Sequence, residues 1–314
     1  MRFAEYADYG SPEVLRVVEA PVPELPPDRV LVAIRAAGVN PFDVKQRGGF
    51  YASAPLASPQ RTGFDGAGVI ETIGAEATEW AVGDRVVTRN TLGTAGTHLA
   101  VKRSNLVRIP DAVDFDRAAA IGTPVGTAYQ ALRSLRVGDG DVLIVHGGSG
   151  AVGQAAIQLA RAFGAEQVVA TAGPRNLDRV AALGAEAVPH GRGTLDRLRV
   201  ALAGHRATVI LDAAGTDDAF ATAEWLADRS RWATIVAGER ADRLGLTAFS
   251  GGSRVPMTPE QNALRREGVA DALARLAEGT LDVELGPAFA LDDIAAAHAA
   301  VETRAARGKV IVRP

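Results

Sequence analysis

The chain has 314 residues, 47% hydrophobic and 23% charged, with a formal net charge of −3 and no cysteine. That length allows two domains, and so small a charge offers no electrostatic case for a nucleic acid or an anionic membrane as partner. No apolar run reaches the roughly 18 residues a membrane span needs, and Met1-Arg-Phe-Ala-Glu5 is not a signal peptide. The missing cysteines exclude disulfides, thiolate catalysis and Cys-based zinc sites, and are compatible with a cytoplasmic location.

In chain order, residues 2–6, 30–36, 66–73 and 85–88 are short β-like runs. Turn signals at Pro26-Pro27, Gly48-Gly49 and Gly83-Asp84 separate them, which predicts a twisted, barrel-like β domain. The texture changes near residue 119. Residues 141–146 read as a strand, and Gly148, Gly150 and Gly153 follow at G-x-G-x-x-G spacing before a helix over 154–162. In such a turn Gly148 permits the tight reversal, Gly150 lets backbone approach a pyrophosphate, and Gly153 lets helix and strand pack closely. Ser149, Gly150, Ala151 and Val152 would then lie around the pyrophosphate at the helix N-terminus.

Gly164 closes that helix, residues 167–172 form the next strand, and a helix over 176–183 stops at Gly184. Strand-like runs at 207–211 and 231–236 flank a helix near 218–228, and 244–249 reads as a final edge strand. The alternation implies a parallel, doubly wound sheet of Rossmann type. Beyond it, 260–277 and 291–303 are helical and 309–313 is a short strand that wants an edge of the β-rich first domain. The expected architecture is therefore α/β and discontinuous. One domain is built from 1–118 and 256–314, with a nucleotide domain, 119–255, inserted.

The end of the second strand selects the dinucleotide. An NAD site wants Asp or Glu there for the ribose 2′-hydroxyl, but this chain reads Thr171-Ala172-Gly173-Pro174-Arg175-Asn176. Arg175 could hold a 2′-phosphate through charge-assisted bonds worth roughly 1.5–3 kcal/mol each, so NADPH is the expected cofactor. Arg179 could take that role instead, or Arg175 could be a solvated first-turn residue.

Ordered segments carry a resemblance over essentially the whole chain. They are Ala37-Gly-Val-Asn-Pro-Phe-Asp43, Gly63-Phe-Asp-Gly-Ala-Gly-Val-Ile-Glu71, Val82-Gly-Asp-Arg-Val86, Ala118-Ala-Ala-Ile-Gly122, Gly126-Thr-Ala-Tyr129, the glycine loop with Gln158-Leu-Ala160, Leu183-Gly-Ala185, and Arg307-Gly-Lys-Val-Ile-Val312. The chain resembles the zinc-free quinone oxidoreductase branch of the medium-chain dehydrogenase/reductase superfamily. The resemblance implies a GroES-like first domain. In zinc members the first segment carries Cys and the second Gly-His-Glu; the matching positions here are Asn40 and Gly63-Phe64-Asp65, so no metal is expected.

By the family pattern, Asn40 faces the nicotinamide ribose and the substrate, and Tyr51 borders the substrate pocket. Lys45, one of three lysines, would bond the ribose or the developing oxyanion. Each has a plainer reading: Asn40 as a turn former before Pro41, Tyr51 as loop packing, Lys45 as solvated surface. The resemblance also places Thr127 near the nicotinamide, with Thr171, Gly173, Arg175 and His190 at the adenosine end. Val236, Ala237 and Gly238 would meet the carboxamide, and Lys309 a phosphate unless it simply sits in its strand. His146 reads as a core histidine; His205 and His298 read as surface residues.

The implied function is NADPH-dependent hydride transfer to a quinone or α,β-unsaturated carbonyl, a small-molecule substrate. The alternatives are an enoyl-thioester reductase and an NADPH-binding, crystallin-like regulatory protein with little turnover. Pairing through the 244–249 edge would make a homodimer.

Overall fold

The computed structural model describes residues 1–249 and 255–314. Residues 250–254, within the expected 119–255 domain, lie outside the described residues. Contacts divide the chain into two compact units, Met1–Thr123 with Val269–Pro314, and Pro124–Gly268.

The first unit begins with β1 (Arg2–Tyr6), β2 (Arg16–Glu19) and β3 (Arg29–Gly38). Next come α1 (Pro41–Arg47), β4 (Gln60–Arg61), β5 (Asp65–Ile73), β6 (Arg85–Thr88), β7 (His98–Lys102) and β8 (Leu106–Arg108). β1 lies between β2 and β4, while in the larger sheet β3 pairs with β5, β7 and the C-terminal strand, β5 also pairs with β6, and β6 with β8. β3 pairs with three strands and is buried on both faces along nearly its whole length. A strand covered that way must read as a continuous apolar run, and Val30-Leu-Val-Ala-Ile34 does. One core gathers Val30, Val32, Ile34, Ile70, Val86 and Val101. The other joins Tyr6, Val39, Ile294, Val310 and Val312, so the two chain ends share one apolar interior.

Helix α2 (Phe115–Ser134) crosses the unit boundary. The second unit then alternates β9 (Val142–His146), α3 (Ala151–Ala162), β10 (Gln167–Ala172), α4 (Leu177–Ala182), β11 (Glu186–Pro189) and α5 (Thr194–Ala201). It continues with β12 (Val209–Asp212), α6 (Asp217–Ala221), β13 (Trp232–Thr234), α7 (Gly238–Arg243) and β14 (Thr247–Ala248). All pairings are parallel in the order β11-β10-β9-β12-β13-β14. This is the doubly wound arrangement, whose order reverses between β9 and β12. β9 is buried at every position, as a central parallel strand must be. Trp232 packs against Phe220, with tilted rings whose centroids are 4.9 Å apart, in the core between β13 and α6; a fully buried large side chain contributes roughly 1.5–3 kcal/mol.

Helix α8 (Pro259–Glu278) returns the chain to the first unit, where β15 (Leu285–Ala290), α9 (Ile294–Glu302) and β16 (Lys309–Arg313) complete it. The closing strand does not lie at an edge: β16 sits between β3 and β15. β15 escapes sequence reading because Gly286 and Pro287 interrupt its apolar pattern. Glycine is required there, since a Cβ would stand 2.5 Å from the Arg307 carbonyl oxygen. The helix expected near 218–228 is short α6 followed by a 3₁₀ turn, Thr222–Trp225. Of the strand expected at 244–249, only Thr247–Ala248 pairs, and it does form the sheet edge.

Candidate functional site

In the second unit the turn after β9 is made by glycines with distinct duties. The left-handed residue is Gly147, at φ 83°, and not Gly148 as expected from spacing. Gly148 is needed for packing, because a Cβ would meet that of Ala170 at 2.8 Å. Gly153 is the tightest: a Cβ would lie 2.2 Å from the Gly147 carbonyl oxygen. At Gly150 the nearest atom to an added Cβ is 3.6 Å away, so nothing inside the protein demands glycine there. Gly150 is the N-cap of α3 and no side chain caps that helix, whose first turn also carries no acid. Bare amides with the positive end of the helix dipole suit an anion. Thr171 ties the loop down by accepting the Gly147 N–H with its hydroxyl (3.1 Å) and the Gly148 N–H with its carbonyl (2.8 Å).

Beyond β10, Gly173 begins a 3₁₀ turn and Arg175 is exposed on it, with no carboxylate from 172 to 177. His190 follows β11, and its Nε2 would lie 3.5 Å from a Cβ on Gly173, so the fold brings these two expected residues together. Arg179 donates to Gln154 Oε1 at 2.9 Å, tying α4 to α3. An open glycine before uncapped amides, with an exposed arginine and no acid after β10, fits the phosphorylated dinucleotide expected from sequence. Val236, Ala237 and Gly238 stand at the carboxyl end of β13. Thr127 is buried in α2 and accepts a 2.7 Å bond from Arg265 of α8, a neighbour that sequence spacing did not reveal. His146 is buried against the Thr222 hydroxyl at 3.1 Å, and burial lowers its pKa to about 4, so it stays neutral in the core.

The first unit holds a buried polar cluster. Asn40 caps α1 ahead of Pro41, and its N–H donates to Asp43 Oδ2 at 2.8 Å. Its side-chain amide donates to Asp65 Oδ2 at 2.9 Å while Oδ1 accepts from Lys309. Lys309 also donates to Asp65 at 3.0 Å, and both charges are buried. Asp65 Oδ1 takes the N–H and hydroxyl of Thr123, each at 2.8 Å. The Lys309 ammonium is thus engaged by Asn40 and Asp65 within its own unit. Asp43 is raised to about 7, first by burial and then by the nearby Asp65 charge, and its Oδ1 has no partner.

Lys45 and Tyr51 lie together in an aromatic group. Phe42 is 5.7 Å from Tyr51 and 5.2 Å from Phe64, Phe50 meets Tyr51 edge-on at 5.0 Å, and Lys45 Nζ stands 5.0 Å from the Phe50 ring. Burial lowers the Lys45 pKa and raises that of Tyr51. Phe42, Phe50 and Phe64 were not foreseen, although their nearness in sequence to Asn40, Tyr51 and Asp65 was the available signal. His298 corrects the surface reading: it is buried in α9, its pKa depressed to about 3 by burial and then by Arg47.

The donor set does not suit zinc. Phe64 offers no ligand atom, both Asp65 oxygens are bonded, and a lysine ammonium already bridges Asn40 to Asp65.

Residues 26–129 match the family model described as alcohol dehydrogenase GroES-like domain, and 183–312 match that described as zinc-binding dehydrogenase. A quinone oxidoreductase from Sus scrofa is 31% identical over 318 residues, 97% of this chain and 95% of that protein. One from Pongo abelii is 41% identical, but the match spans about half of each protein, 55% of this chain and 53% of the relative. The solved structure of mycobacterial Rv1454c complexed with NADPH is 25% identical and superposes with a TM-score of 0.84 over 100% of both chains.

Proposed function

Since the chain belongs to the quinone oxidoreductase branch of the medium-chain dehydrogenase/reductase superfamily, we propose that it is a zinc-independent, NADPH-dependent oxidoreductase acting on quinones or α,β-unsaturated carbonyls. The carrying observation is the glycine loop with its uncapped helix N-terminus, together with an exposed Arg175 and no acid after β10. NADPH, when bound, supplies the hydride. Gly150, Ala151 and Val152 hold the pyrophosphate through backbone, with Ser149 beside them. Thr171, Gly173, Arg175 and His190 serve the adenosine end, while Thr127, Val236, Ala237 and Gly238 serve the nicotinamide end. A NADPH complex of a structural neighbour supports this reading.

Reduction of a quinone or enone places negative charge on an oxygen, and donors aimed at that oxygen lower the barrier. Tyr51 stays a neutral phenol because burial raises its pKa, and Lys45 is disposed to give up a proton because burial lowers its own. The two share an aromatic group suited to a flat acceptor. Asn40 and Lys309 act from the buried cluster, by holding the start of α1. The aromatic group favours a flat acceptor over a thioester arm. The protein works in the cytoplasm, as a homodimer paired through β14.

Loss of nicotinamide absorbance is the test, with NADPH and a quinone, an enone or an enoyl-thioester. Turnover of quinone or enone is expected. Turnover confined to the thioester would make it an enoyl reductase, and saturable binding without turnover a nucleotide-binding protein.

A further inference from the structure

At the carboxyl end of β12 stands a fully buried acid that the glycine loop does not use. Asp212 Oδ1 accepts the N–H groups of Ala214 (2.9 Å) and Gly215 (2.8 Å), and Oδ2 accepts the hydroxyl of Thr234 (2.8 Å) on β13. The same hydroxyl accepts the N–H groups of Val236 and Ala237, each at 3.2 Å. One carboxylate therefore organises the backbone leaving two adjacent strands. These segments also meet each other and the glycine loop. A Cβ on Gly215, at φ 72°, would lie 3.3 Å from Val236, and one on Gly147 would lie 3.1 Å from the Ala213 carbonyl.

Helix capping does not account for this arrangement. Thr216 caps α6 with its own hydroxyl, at 3.3 Å from the Ala219 nitrogen. Nor does plain packing: burial raises the Asp212 pKa, a cost that hydrogen bonds from Gly215, Ala214 and Thr234 and the charge of Arg240 only offset. An apolar pair would fill the same space without that cost, whereas a saturated polar network fixes one geometry. The place it fixes is beside the β9–β12 reversal, where doubly wound sheets bind dinucleotides.

We infer that Asp212 and Thr234 are positioning residues that hold segments 213–215 and 236–238 for the nicotinamide half of NADPH. The inference rests on the cofactor reading above. Neither residue touches the cofactor; both act through main-chain amides that they orient.

Calorimetry on the full-length protein tests it with two probes, NADPH and 2′,5′-ADP, which carries only the phosphorylated adenosine half. Thr234→Val removes the hydroxyl at nearly constant volume. It is expected to weaken NADPH about tenfold, the equivalent of one to two hydrogen bonds, and to leave 2′,5′-ADP within about twofold. Thr234→Ser, which restores the hydroxyl, is expected to recover NADPH affinity. Should Thr234→Val fail to fold, Asp212→Asn replaces it, with the same split at smaller amplitude. Unchanged NADPH affinity, or equal losses for both probes, would overturn the inference. If the wild-type protein does not bind NADPH, whether or not it binds 2′,5′-ADP, the parent cofactor reading is what fails.

Discussion

The glycine loop of the second unit and the Asn40 cluster of the first both gather polar groups, but by opposite means. The loop uses backbone within a stretch of seven residues, 147–153, and its needs are steric. The cluster uses side chains that are distant in sequence: Asn40 and Asp65 are 25 residues apart, Lys309 and Asn40 269. A backbone device is tolerant of side-chain chemistry and intolerant of added atoms. A buried charge network is the reverse, since each member leaves the others unsatisfied when it goes.

The largest expected effect follows from that second property. Lys309→Met strands the Asp65 carboxylate in the interior, and breaking a buried pair in this way costs about 3–5 kcal/mol. Chemical denaturation reads the loss, and an Asp65→Leu/Lys309→Met double variant is expected to recover part of it. Additive losses in the double variant would break the picture of one coupled network.

Next come the glycines, which sharpen the contrast inside the loop itself. Gly153→Ala must displace the Gly147 carbonyl and is expected to cost about 1–3 kcal/mol of stability, like other overpacked sites. Gly150→Ala has room in the protein and should leave the melting temperature unchanged while weakening NADPH. Equal destabilisation by both would mean that Gly150 serves the fold and not the ligand.

A smaller effect is expected at the adenosine end. Arg175→Ala should weaken NADPH by about tenfold and leave NADH nearly untouched, because only the former offers a 2′-phosphate. Titration of both nucleotides decides it; equal losses would hand the role to Arg179 or to neither.

The last concerns Asp43, and it is a dependence on pH. Its carboxyl is raised from 3.8 to about 7, so the folded state binds the extra proton between those values. Its stabilising contribution is full below about 3.8 and is lost as pH rises through about 7. Asp43→Asn keeps an acceptor for the Asn40 N–H and cannot ionise. Thermal melts should therefore show the wild type losing ground to Asp43→Asn as pH rises from about 3.8 to about 7, with no further loss above that. A gap independent of pH would mean that Asp43 is ionised throughout.

Legibility in the sequence followed range. The run 141–162 announced strand, turn and helix because periodicity and glycine spacing act over a few residues, and β9 and α3 stand there. Even so, spacing assigned the tight turn to Gly148, since which glycine takes a positive φ depends on how β10 packs beneath. Strand β15 was hidden by Gly286-Pro287, whose reason is the neighbouring 307–308 backbone. The surface reading of His298 failed because a nine-residue, alanine-rich helix shows no polar face to tell inside from outside. Asp212 gave no signal at all: an acid at a strand end looks like a turn residue until Thr234 is seen 2.8 Å away.

The order of elements, the dinucleotide turn and the missing acid after β10 were determined by the sequence itself, because each is a property of consecutive residues. Which strand flanks β16, where the Lys309 ammonium goes and what Asp212 holds were decided only by the tertiary structure. Those depend on which distant groups share a buried space, and there charge and hydrogen-bonding capacity must be satisfied by whatever the fold brings within reach.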